Sequence, residues 1–111
     1  MKKLLLFTML NLSCLAQDFA GGLVVVEFNA SFNKTNEVQW LSKLTDCDIE
    51  RVDIAADSRW ASQYKIVVVP TLVVFNNNEE AKRFQANIMM TMEATRKEVQ
   101  EAVDEITMEA F

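Results

Sequence analysis

The 111-residue chain is half apolar, carries a formal net charge of −5, and contains two glycines, one proline, two cysteines and no histidine. That length holds one domain, and apolar content with so few chain breakers argues for a packed core rather than disorder. Its basic residues are scattered, the pairs Lys82-Arg83 and Arg96-Lys97 among them. A nucleic-acid partner is therefore not expected, because phosphate binding needs a basic face. Zinc held by a Cys/His cluster is not expected either, nor any other metal or cofactor.

Residues 1–16 stand apart. Met1-Lys2-Lys3 is a short positive region, the next thirteen residues are uncharged, and Cys14 and Ala16 place small residues before Gln17. This is the tripartite pattern of a secretory signal peptide of bacterial type, and its apolar run is too short to span a bilayer. Removing sixteen residues, two of them lysines, from 111 leaves 95 with a formal charge of −7. The mature domain, residues 17–111, then retains Cys47 as its single thiol. It is expected to be exported, periplasmic or secreted, without stable membrane insertion. Two alternatives stand beside export. Residues 1–16 could form an extra N-terminal strand and helix of a cytoplasmic protein, although a surface helix should show a polar face that is missing here. Cys14 could be lipidated, although Asn11-Leu12-Ser13 lacks the leucine usual before a lipidated cysteine.

After Gly21-Gly22, the β-branched run Leu23 to Phe28 fits a central strand buried on both faces. Asn33 is a good helix N-cap, with Val38, Leu41 and Leu44 following at helical spacing beside Trp40. Asp48 to Ile54 alternates as a strand, with Ile49 out of phase. A short helix is predicted from Asp57 to Tyr64, capped by Asp57 or Ser58. Thr71 to Phe75 reads as a strand. Asn76-Asn77-Asn78 then turns the chain into a further strand, Glu80 to Gln85, because asparagine tolerates left-handed backbone angles. A last helix spans about Met92 to Met108, burying Val99, Ala102, Val103 and Ile106. The order β-α-β-α-β-β-α implies a parallel first pair of strands, an antiparallel terminal hairpin and helices on both faces.

Two stretches resemble the thioredoxin family. Leu23-Val24-Val25-Val26-Glu27-Phe28-Asn29-Ala30-Ser31-Phe32-Asn33-Lys34-Thr35-Asn36 is similar to the family's strand ending in an acid and phenylalanine, followed by the aromatic-Cys-x-x-Cys turn. Val52-Asp53-Ile54, then Tyr64-Lys65-Ile66-Val67-Val68-Val69-Pro70-Thr71-Leu72, is similar to its second strand and Val-Pro-Thr loop. The similarity covers about residues 21–106. It implies an α/β thioredoxin fold, with a central mixed sheet of four strands, or five if an N-terminal strand is added, and a cis Pro70.

The resemblance also marks a loss. Thiol–disulfide exchange needs an attacking thiolate and a second, resolving thiol. At the two cysteine positions this sequence has Asn33 and Asn36, and amides neither ionise nor attack sulfur. No catalytic residue is therefore expected. The tripeptides Asn29-Ala30-Ser31 and Asn33-Lys34-Thr35 also match glycosylation acceptors, read here as coincidence. Cys47, between Asp46 and Asp48, should be a poor nucleophile, because flanking carboxylates raise a thiol pKa.

By the same resemblance, Glu27 takes the place of a buried acid and Arg51 that of a nearby lysine, forming a buried charge pair; Glu27 reaching solvent is the alternative. The family's peptide groove implies Phe32, Val69 and Pro70 as binding residues, with Ala86 in place of its usual glycine. Met89, Met90 and Met92 suit either adaptable contacts or the core. The expected function is a redox-inactive, thioredoxin-like protein binding an extended polypeptide or partner protein. A residual oxidoreductase acting through Cys47 and a structural subunit of a complex are the alternatives.

Overall fold

The computed structural model describes Phe19 and residues 21–109; the predicted leader, residues 1–16, lies outside them. Four strands, β1 (Leu23–Asn29), β2 (Asp48–Asp53), β3 (Thr71–Asn76) and β4 (Glu79–Gln85), form one sheet in the order β2-β1-β3-β4. β1 runs parallel to β2 and antiparallel to β3, and β3 pairs antiparallel with β4. β1 and β3 are the inner strands, so their continuous apolar runs are buried on both faces. The mixed α/β sheet of the sequence reading is thus present with four strands.

Alternation along β1 and β3 divides the core in two. Val25, Leu72 and Val74 point to one face, where they meet Val38, Leu41, Leu44, Val99 and Val103. Val24, Val26, Phe28, Val73 and Phe75 point to the other, where they meet Phe19, Trp60 and Tyr64. The out-of-phase Ile49 is explained by this division. As an outer strand, β2 gives Ile49 to the first cluster and Val52 to the second.

The hairpin between β3 and β4 turns on Asn77 (φ 53°) and Asn78 (φ 69°), the left-handed pair that a two-residue turn matching strand twist requires. Asn77 also exchanges bonds with Gly22: Gly22 N donates to Asn77 Oδ1 at 2.9 Å, and Asn77 N donates to Gly22 O at 2.8 Å. Gly22 sits at φ 89°, a conformation that glycine adopts without strain.

Helix α1 (Arg59–Tyr64) starts two residues later than predicted, and Asp57 caps it by accepting the Arg59 N–H at 3.0 Å, whereas Ser58 makes no side-chain cap. Its far end is capped by Arg83 of β4, which donates to the Tyr64 and Lys65 carbonyls at 2.8 and 3.0 Å. Helix α2 (Arg96–Glu109) begins four residues later than predicted. The start is set by a reciprocal box: Glu98 N donates to Thr95 Oγ1, and Thr95 N donates to Glu98 Oε1. The Thr-x-x-Glu pattern was visible in the sequence.

The predicted helix opening at Asn33 is corrected. Two short 3-10 helices, Ser31–Asn36 and Gln39–Lys43, occupy the crossover. Asn33 lies inside the first at φ −115°, ψ 23°, and the N-cap position belongs to Ala30. The chain leaves helical angles at Glu37 (ψ 151°) and Val38 (ψ 106°). The cause is tertiary. The Val38 N–H donates to the buried Glu27 carboxylate at 2.8 Å, while Arg51 Nη2 donates to the Val38 carbonyl at 3.0 Å. An α-helix would need both Val38 groups for its own ladder.

Phe19 lies 6% exposed, with ring centroids 5.1 Å from Phe75, 5.6 Å from Tyr64 and 5.7 Å from Trp60. Phe19→Ala should destabilise the domain by about 3 kcal/mol, the usual cost of emptying a buried aromatic site. A chain starting at Gln17 should melt well above one starting at Gly21, as read by circular dichroism.

Candidate functional site

The carboxyl ends of β1 and β2, the first 3-10 helix, the loop before β3 and the segment after β4 converge at one end of the sheet. The first 3-10 helix follows β1 directly, and an asparagine network fixes it to its neighbours. Asn33 is 3% exposed. Its Nδ2 donates to Asn29 Oδ1 (3.2 Å), the Met90 carbonyl (3.1 Å) and the Val69 carbonyl (3.4 Å), and its Oδ1 accepts Asn36 Nδ2 at 2.9 Å. Asn29 Nδ2 returns a bond to the Asn33 carbonyl at 3.3 Å. The Asn33 and Asn36 amides are thus bonded to each other, and Asn33 also bonds to the backbone. Burial and engagement of the Asn33 side chain also close it to glycosyl transfer in the folded protein.

The Val69–Pro70 peptide is cis. Pro70 is buried, and its carbonyl accepts the Ala86 N–H at 3.1 Å, which joins the loop to the end of β4. In front of them lies a shallow cleft of about 270 Å³, with Phe32, Ile54, Val67, Val69, Ile88 and Met90 in its lining. Of the four residues predicted for peptide binding, Phe32 and Val69 line this cleft, while Pro70 and Ala86 form the support behind it. Phe32 is 73% exposed, Val67 81% and Ile88 95%. The Val69 N–H forms no hydrogen bond among the described residues. The methionine run divides: Met89 and Met90 are exposed, while Met92 packs against the core. Val67 and Ile88 were not singled out in the sequence; Val67 entered only as part of the Tyr64 to Leu72 stretch that resembles the family's Val-Pro-Thr loop.

A second cleft of similar volume lies near the Glu27–Arg51 pair, with the charged Lys34, Glu37 and Asp53 in its wall. Glu27 and Arg51 are register partners on β1 and β2, and Arg51 Nη1 binds the Glu27 carboxylate. Glu27 is 1% exposed, whereas the Arg51 side chain remains 39% exposed and also reaches Glu37 at 3.4 Å. Burial pushes the Glu27 pKa above its ordinary 4.5. The Val38 N–H and the Arg51 charge oppose that rise, and Glu37 adds to it. Cys47 lies before β2, at the end of the sheet away from Asn33 and Asn36, the length of β2 separating them by roughly 20 Å at about 3.3 Å per residue. Its pKa is raised by burial first, then by Asp48, Asp46 and Asp104.

Among the described residues no cluster of three or more His, Cys, Asp or Glu could hold a metal ion, and no helix is long and apolar enough to cross a membrane.

Both shifts are upward, and each has its own experimental signature. A carboxyl whose folded pKa is raised binds its proton more tightly when folded. Its contribution to stability is therefore greatest below pH 4.5 and declines as pH climbs through the folded value. Glu27→Gln should remove that decline in urea melts taken between pH 4 and 8. Arg51→Met strips the attraction that opposes the shift and should cost about 2 kcal/mol at pH 7, less at pH 4.5. That figure lies below the 3–5 kcal/mol typical of a fully buried pair, because Arg51 is part-exposed. For Cys47, alkylation by iodoacetamide at pH 8 should be slower than for an unfolded control peptide, since less thiolate is present. Denaturant should abolish the difference.

Comparison with protein-family models and with curated proteins gives no match. Solved structures do match. A Schistosoma mansoni thioredoxin superposes with a TM-score of 0.62 at 24% identity, covering 86% of each chain. A point-mutant thioredoxin of Halobacterium salinarum gives 0.61 at 21% identity, covering 77% of this chain and 74% of that one. Thioredoxin 1 of Thermosipho africanus gives 0.59 at 21% identity, covering 78% and 97%. Four strands in this order and these agreements assign the architecture: the chain has the thioredoxin fold.

Proposed function

We propose that this thioredoxin-fold domain binds an extended, apolar polypeptide segment in the cleft beside the Val69–Pro70 loop and performs no dithiol–disulfide exchange. The observation that carries the reading is the concentration of exposed apolar side chains there, Phe32, Val67, Ile88 and Met90, around a Val69 N–H that is unpaired among the described residues. Scattered surface apolar residues need no explanation, but a contiguous group lining a cleft marks an interaction site. An extended segment would take the Val69 N–H with one of its carbonyls, adding main-chain bonding to the apolar contacts. The absence of exchange chemistry follows from amides at positions 33 and 36 and from a distant, poorly ionised Cys47. With residues 1–16 read as an export leader, the domain works in the periplasm or outside the cell.

The test is fluorescence anisotropy with a labelled decapeptide alternating leucine or valine with serine, flanked by lysines for solubility. Its control has every apolar residue replaced by serine. The wild-type protein should bind the first and not the second. Val67→Ser and Ile88→Ser should each weaken binding about tenfold while changing stability by less than about 0.5 kcal/mol, because both side chains are solvent-exposed. Equal binding of both peptides, or affinity indifferent to both substitutions, would refute the reading. Turnover in a disulfide-reduction assay that Cys47→Ser abolishes would instead support an oxidoreductase.

A further inference from the structure

Resting on that reading of the cleft, we infer that the Asn33 side chain is a positioning residue for peptide binding: it clamps the Ile88–Met90 wall to the cis-proline wall, so that the cleft is formed before a peptide arrives. The segment from Asn87 to Thr91 closes largely on itself. Asn87 N donates to the Thr91 carbonyl, and Met90 N donates to the Asn87 carbonyl, each at 3.0 Å; Asn87 Oδ1 accepts from Met89 N at 2.9 Å and Thr91 N at 3.2 Å. Met90 is held at φ 60°, a left-handed angle unusual for its side chain. The apolar residues on this turn cannot anchor it, since Ile88 and Met89 face solvent and pack on little.

What reaches the turn from the interior is a buried amide. Asn33 Nδ2 donates to the Met90 carbonyl at 3.1 Å and, more weakly, to the Val69 carbonyl at 3.4 Å. The two Asn33 Nδ2 protons are shared with a third acceptor, Asn29 Oδ1, while Asn33 Oδ1 accepts from Asn36 Nδ2. One side chain therefore links the turn after β1, the loop before β3 and the segment after β4. A wall ordered in advance spares the peptide the entropy of ordering it, which is a direct gain in affinity.

The experiment compares wild type with Asn33→Ala, using the alternating apolar decapeptide as probe. In the variant, amide hydrogen exchange at Met89–Thr91 should accelerate about tenfold or more while β1 and β3 exchange as in wild type. Peptide affinity should fall about five- to tenfold, and bound peptide should restore protection in that segment. A purely structural role would alter exchange throughout the sheet and leave the local effect of peptide unexplained. Should Asn33→Ala fail to fold, the wild type supplies the test by NMR: the Asn33 side-chain amide protons should be protected and remain so at peptide saturation. Unchanged exchange and affinity in the variant would overturn the inference, as would tighter binding, which would make the amide a competitor for the Val69 carbonyl. Solvent-rate exchange of the amide in wild type would overturn it as well. Failure of the wild type to bind peptide would remove the functional reading and this inference together. Binding by wild type with an indifferent variant would remove only the inference.

Discussion

A single buried carboxylate sets the geometry of the functional end of this domain. Glu27 sits on an inner strand with valine and phenylalanine as neighbours, where an ion without partners would be costly. Its register partner Arg51 supplies a countercharge from β2, and Val38 supplies a backbone N–H. Taking that N–H pulls the crossover out of helical geometry after Glu37. The break confines the first 3-10 helix to six residues and turns Asn33 inward, against Val69 and Met90. The cleft therefore depends on a charge that lies outside it.

The strands were legible because one physical signal dominates them. Leu23 to Phe28 and Thr71 to Phe75 are β-branched and apolar almost without interruption, and only an inner strand covered on both faces can bury such runs. The Asn76-Asn77-Asn78 turn announced itself through the few residues that accept left-handed angles. The crossover was misread, although its signal was present. Val38, Leu41 and Leu44 recur at strict intervals of three, the period of a 3-10 helix as much as an approximation to an α-helix. Local pattern cannot choose between the two when the deciding bond comes from Glu27 on a neighbouring strand.

Asn33 shows the same limit more sharply. Asparagine at the start of a helical pattern ordinarily caps it, and that local role is what a sequence displays. Its actual acceptors, Val69 and Met90, lie 36 and 57 positions away in the chain. Phe32 and Val69, which the resemblance singled out, both line the cleft. The resemblance could not reveal Val67 and Ile88, whose significance is their exposure, nor the way the methionine run divides between surface and core.

Amides at positions 33 and 36 and exposed apolar residues along the cleft are the two features on which the proposed binding role rests. An amide at position 33 contributes fixed, directional bonds, and binding as proposed would rest on apolar burial together with main-chain hydrogen bonding. The most direct measurement is a two-dimensional ¹H–¹⁵N shift map of the labelled domain during titration with the alternating apolar peptide. Shifts grouped at Phe32, Val67–Val69 and Ile88–Met90 would meet the account. Shifts grouped instead around Arg51 and Lys34 in the second cleft, or around Cys47, would contradict it.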